Sequence, residues 1–331
     1  MVVSGALTIA VALPIDLYLH RRFERAGGLN IRSYRGALVG RKQAEEQRVV
    51  VLGGSAAFGY GVRSHEALPA ALERQLNIQR RHEGRGPVSV ANLAYNREGA
   101  YALLPTLKDY EFLDYDLALF YTGYNDLNEE PNVNVFRQES LMFKLTGYYP
   151  ILPLVVREKW MTLRHGGNLE AAYRAQAVVF RPGVGNQANP EVHKTADEIR
   201  AALEHQVGHV THPDAVASFA VSDCGQRWAH YCESVAVAVE YALGRGKGVL
   251  VVTEPYLSDE HVVQQAAMAN MLNARFSSEP RLRYVNLGRN LVDLKDPTLC
   301  LDGMHLSATG NERMAAALVE PVLELLDDAQ R

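Results

Sequence analysis

The chain has 331 residues, enough for one large folded domain, and its 47% hydrophobic and 22% charged content excludes a disordered or fibrous protein. With 34 Lys and Arg against 38 Asp and Glu, the formal net charge is -4 and there is no long basic run, so nucleic acid is not an expected partner. Three cysteines, Cys224, Cys232 and Cys300, contain no C-x-x-C pair and support neither a disulfide framework nor a cysteine zinc site; one disulfide stays open for an exported protein.

Residues 1–19, MVVSGALTIAVALPIDLYL, are apolar apart from Ser4, Thr8 and Asp16, and His20, Arg21 and Arg22 follow. The apolar stretch before Asp16 is shorter than the roughly 20 residues of a spanning helix. It also lacks the basic lead of a secretory signal. Residues 1–25 are therefore read as an apolar segment, either a membrane anchor or a buried or interfacial helix, ahead of a domain over 26–331. By the positive-inside rule, Arg21 and Arg22 would keep the body in the cytoplasm.

Residues 48–52 (RVVVL) are β-branched, short and followed by Gly53-Gly54, which predicts a buried parallel strand entering a tight turn. Residues 66–79 have apolar positions at helical spacing. A second strand is expected over 88–93, a helix over 102–113, and a third strand over 117–121 running into Thr122-Gly123-Tyr124-Asn125-Asp126. Further on come a helix over 226–243, a strand over 248–253, a helix over 259–276, a strand over 282–287 and a closing amphipathic helix over 307–326. Strands alternating with helices predict a parallel sheet covered on both faces, a three-layer α/β/α sandwich with ligands at the carboxyl ends of its strands. The interval 128–223 breaks the alternation, carries Tyr148 and Tyr149 and one helical pattern over 190–207, and is read as a cap-like insertion that sets substrate preference.

Three places put polar residues next to strand ends or a helix start. The first is Gly53-Gly54-Ser55, whose hydroxyl is a nucleophile only beside a base. In Gly123-Tyr124-Asn125-Asp126, the Asn125 amide is suited to donate to a developing oxyanion. The third is Asp302-Gly303-Met304-His305, where a carboxylate three residues before an imidazole can fix its tautomer and free the other ring nitrogen to take a proton. Rival motifs are absent: the Ser55 window is not the Gly-x-Ser-x-Gly elbow, Gly59-Tyr60-Gly61 lacks the third dinucleotide-binding glycine, and no phosphate loop or His-Glu-x-x-His is present. His193, His205, His209 and His212 are read as surface residues rather than a metal site, and Glu254-Pro255-Tyr256 as a possible pocket lining.

Together the three blocks resemble those of the SGNH (GDSL-like) hydrolases over most of residues 48–127 and 248–326. The resemblance implies a flavodoxin-like fold and a serine esterase without cofactor or metal. Ser55 would be the nucleophile, His305 the general base, Asp302 its orienter, and Ser55, Asn125 and a second-block residue the oxyanion donors. That residue is Gly99, with Ala94 as the alternative, and Asn92 and Asn96 are expected to be turn residues. Gly54 stands where the family often has Asp. The implied substrate is a small-molecule, lipid or glycan ester, including O-acetylated glycans; an O-acyltransferase using the same residues, or a non-catalytic binding protein of this fold, are the alternatives. Exported relatives argue against the cytoplasmic placement, which leaves localisation open.

Overall fold

The computed structural model describes residues 2–24, 28–128, 130–137, 140–164, 224–288 and 291–328. Five strands form one parallel sheet: β1 Gln47–Gly53, β2 Val88–Asn92, β3 Leu117–Tyr121, β4 Gly248–Val252 and β5 Leu282–Val285, in the order β2-β1-β3-β4-β5. This is the flavodoxin-like order, in which the chain changes direction across the sheet between β1 and β3, and the gap opened there at the carboxyl end is where ligands bind. Val49 pairs with Leu117 and Gly53 with Tyr121, so the ends of β1 and β3 lie side by side.

Among the described residues the α-helices are α1 Val2–Glu24, α2 Ser55–Phe58, α3 Leu68–His82, α4 Leu103–Asp109, α5 Leu141–Thr146, α6 Leu152–Arg164, α7 Gly225–Gly244, α8 Asp259–Phe276 and α9 Ala308–Asp328. Every residue of β1, β3 and β4 is buried, as expected of central strands covered on both faces. Period-two alternation then divides the sheet between two cores. Val49 and Val51 pack with Leu72 and Leu76 of α3 and Leu318 and Val322 of α9. Val50 and Leu52 face the other way, toward Leu107 of α4, Val235 and Val239 of α7 and Met268 of α8.

The expected helix over 102–113 is broken into α4 and flanking single turns, because the chain leaves helical geometry at Tyr110 and turns left-handed at Asp114 (φ 48°). The structure gives α5 and α6 in the interval read as a cap; the helical pattern over 190–207 and His193, His205, His209 and His212 lie outside the described residues. Cys224 and Cys232 form a disulfide at the start of α7, with Cα atoms 6.2 Å apart, and Cys300 is buried and free. The cysteine spacing alone did not favour that pairing; Cys224 is the N-cap of α7, ahead of a left-handed Gly225 (φ 56°), so the turn before the helix and not the helix repeat brings it to Cys232.

Candidate active site

Ser55 occupies the first position of α2, directly after the β1 turn. Its backbone N–H therefore has no partner within the helix. His305 comes from the turn before α9, and its Nε2 lies 2.8 Å from Ser55 Oγ across a sequence separation of 250 residues. His305 Nδ1 lies 2.6 Å from Asp302 Oδ2. The other oxygen of that carboxylate accepts from the backbone N–H groups of His305 at 2.7 Å and Met304 at 3.0 Å. Asp302 thus folds its own turn into the shape that aims the ring.

Burial pushes the Asp302 carboxyl up, but the adjacent His305 charge and the hydrogen bonds it accepts outweigh this and hold it below the usual carboxylate range. An ionised Asp302 accepts the proton on Nδ1, which leaves the Nε2 lone pair for the Ser55 hydroxyl. Both residues are nearly inaccessible, Asp302 at 9% and His305 at 7% exposure. The Tyr60 ring packs against the imidazole with centroids 4.8 Å apart, a neighbour that the sequence blocks did not single out.

The other expected residues converge on the same gap. Asn125 lies in the single turn Tyr124–Asp126 after β3, and its Nδ2 donates to the Glu98 carbonyl at 2.9 Å. That leaves the second amide hydrogen unspent on this contact. A Cβ on Gly54 would overlap the Asn125 amide and the Glu98 carbonyl, so the close approach of these three segments requires glycine where Asp was noted as the common residue. Of the two second-block alternatives, Ala94 has its N–H bonded to Asn92 Oδ1 at 3.2 Å, whereas Gly99 directly follows the carbonyl held by Asn125. A Cβ on Gly99 would overlap the Asp126 carboxyl. Asn96 lies in a turn as expected, but Asn92 does not: it is the last residue of β2, is buried, and its amide holds the Phe58 carbonyl at 3.2 Å at the end of α2.

A buried polar frame supports these turns. Asp126 accepts from Ala100 N–H at 2.9 Å and ties the second block to the third; desolvation pushes its carboxyl up to about 7. Glu254, at the end of β4, accepts from Tyr124 N–H at 2.7 Å, and burial followed by the nearby Asp126 charge raises it to about 8, against the opposing pull of that hydrogen bond. Read from sequence as a pocket lining, Glu254 is 1% exposed and instead braces the Asn125 turn from below. From α8, Gln264 donates to the carbonyls of Gly123 at 3.2 Å and Asp126 at 2.9 Å. On the far side of Ser55, the buried Arg35 guanidinium donates to the carbonyls of Phe58, of Gly59 at 2.6 Å, and of Val62, closing the end of α2.

Tyr148 and Tyr149, expected to tune substrate preference, lie beside the polar residues of α1. The Tyr148 hydroxyl bonds Asp16, and the Tyr149 carbonyl lies 3.0 Å from His20 Nε2. Among the described residues, no group of three or more His, Cys, Asp or Glu could hold a metal ion.

No family model matches the chain, and no curated protein matches it. Among solved structures it is similar to a GDSL-like lipase from Bacteroides thetaiotaomicron VPI-5482, with 12% identity over 86% of this chain and 93% of that one and a TM-score of 0.40. It is also similar to a family 3 carbohydrate esterase from Clostridium thermocellum, with 10% identity over 86% and 98% and a TM-score of 0.43. A catalytic mutant of an acetylxylan esterase from Geobacillus stearothermophilus shows 13% identity over 87% and 96% and a TM-score of 0.43.

Proposed function

We propose that the protein is a serine hydrolase of carboxylic esters, of the SGNH type, with Ser55 as nucleophile, His305 as general base and Asp302 as the residue that orients it. The observation that carries this reading is the continuous hydrogen-bonded chain from Asp302 through His305 to Ser55 at the carboxyl end of the sheet.

Ser55 Oγ attacks the ester carbonyl carbon while His305 Nε2 takes the hydroxyl proton. The Ser55 and Gly99 N–H groups and the Asn125 amide donate to the oxyanion as its charge develops. Collapse of the tetrahedral adduct breaks the bond to the alcohol oxygen, which leaves with the proton from Nε2 and an acyl group on Ser55. Water then attacks that acyl carbon, gives its proton to Nε2 and releases the acid, with the proton returned to Ser55.

Small-molecule, lipid and glycan esters, O-acetylated glycans among them, are the substrate class. An acceptor alcohol in place of water would make the same residues an acyltransferase, and adding such an acceptor to the assay separates the two by the fate of the acyl group. A binding protein without catalysis has no need of an imidazole aimed at a serine hydroxyl and backed by a buried carboxylate. The test is turnover of a chromogenic acetate ester by the wild type and Ser55→Ala, with circular dichroism to show that both are folded. The expected result is hydrolysis by the wild type alone; equal turnover by the variant would remove the assignment.

A further inference from the structure

Over residues 11–22, helix α1 is built inside out. Among the described side chains there, Asp16 and His20, one turn apart, are the buried ones at 3% and 1% exposure, whereas Val11, Leu13, Ile15, Leu17 and Tyr18 are 37% to 59% exposed. At 100° per residue the exposed apolar positions cover more than half of the circumference. A water-facing helix has the opposite pattern, and a single protein partner would cover only one stripe. Polar residues turned toward protein with apolar ones outward is the arrangement of a helix surrounded by lipid.

The inward polar pair is a latch. His20 Nδ1 lies 2.9 Å from the Leu29 carbonyl and Nε2 lies 3.0 Å from that of Tyr149, while Asp16 pairs with His20 at 3.2 Å and accepts from the Tyr148 hydroxyl and the Leu152 N–H. It fixes α1 to the start of α6, against which α1 packs. Helix α6 continues the apolar surface: Val156, Trp160 and Leu163, at i, i+4 and i+7, are 57%, 54% and 72% exposed. Every charged side chain described as exposed on α1 and α6 is basic: Arg21, Arg22, Arg157, Lys159 and Arg164. No helix among the described residues is long and apolar enough to cross a membrane.

We propose that α1 and α6, joined through Asp16 and His20, form a surface that embeds in an anionic lipid bilayer and holds the domain against it. The apolar side chains enter the acyl boundary, Tyr18 and Trp160 take the interfacial positions favoured by amphipathic rings, and the basic side chains meet the headgroups. This surface is independent of the chemistry assigned to Ser55.

The chain has two tryptophans, and the other, Trp228, is buried at 5% exposure, so Trp228→Phe makes Trp160 the sole reporter. The full chain in this background would be mixed with vesicles of phosphatidylcholine, alone or with phosphatidylglycerol. The expected result is co-sedimentation that is stronger with phosphatidylglycerol, a blue shift of Trp160 emission, and quenching by brominated acyl chains. Adding Val156→Ser with Leu163→Ser should lower the partition coefficient by about tenfold or more, with an unchanged circular dichroism spectrum. A folded protein that stays in the supernatant with unshifted emission would overturn the proposal. So would wild-type partitioning of the double variant, which would release α6 from the surface, or a lipid-free dimer whose Trp160 is already blue-shifted, which would give the face to a second copy. Equal binding to both vesicle types would overturn the headgroup assignment.

Discussion

Glu254 offers a prediction that can be worked through from the structure. Its carboxyl titrates at about 8 in the folded protein, chiefly because burial disfavours the charged form, against 4.5 for the ordinary group. Between those values the folded state holds a proton that the unfolded state has released, so stability is greatest below the lower value and falls as pH rises through the higher one. At about 1.36 kcal/mol for each pH unit separating the two, the full penalty is about 5 kcal/mol, of which about 4 kcal/mol develops between ~pH 5 and ~pH 8.5. Glu254→Gln retains an oxygen to accept the Tyr124 N–H and no longer titrates. Urea unfolding of both proteins at the two pH values should show the wild type losing about 4 kcal/mol more than the variant. Parallel losses in the two proteins would refute the reasoning and place Glu254 in a wetter, ionised environment.

Two further substitutions probe the oxyanion side. Asn125→Ala should lower kcat by about 10² to 10³-fold, roughly 3 to 4 kcal/mol, with KM nearly unchanged, because the amide acts on charge that develops in the transition state; steady-state kinetics and a thermal midpoint on one preparation separate this from mere loss of the turn. Gly54→Ala puts a methyl group into the Asn125 amide and the Glu98 carbonyl, and a displaced donor should cost about tenfold or more in kcat, while a folded variant with wild-type kcat would show that the two turns have room to part.

The strands were legible because β1, β3 and β4 are central and fully buried, which leaves short, largely apolar runs in the sequence. Ser55, Asn125, Asp302 and His305 were legible for a related reason: each lies within a few residues of a strand end or a helix start, where local pattern fixes position. Residues that act from a distance were not. Glu254 reaches a turn 130 residues earlier, and Arg35 holds carbonyls more than 20 residues later, contacts that only the sheet order creates. That the Ala94 N–H is taken by Asn92 was not legible either, since a side-chain hydrogen bond of this kind leaves no periodicity. The apolar run over residues 1–19 was visible, but that Asp16 and His20 face inward became visible only with the latch to Tyr148 and Leu152.

The central claim is that Ser55 is the nucleophile activated by His305, and covalent capture tests it most directly. A fluorophosphonate should add once to the folded wild type, as read by intact mass, with the adduct mapped by peptide fragmentation to Ser55. Labelling should be lost in Ser55→Ala and slowed at least about 10²-fold in His305→Ala, since the hydroxyl is a weak nucleophile without its base. Labelling of Ser55→Ala at the wild-type rate, or an adduct on any other residue, would contradict the account.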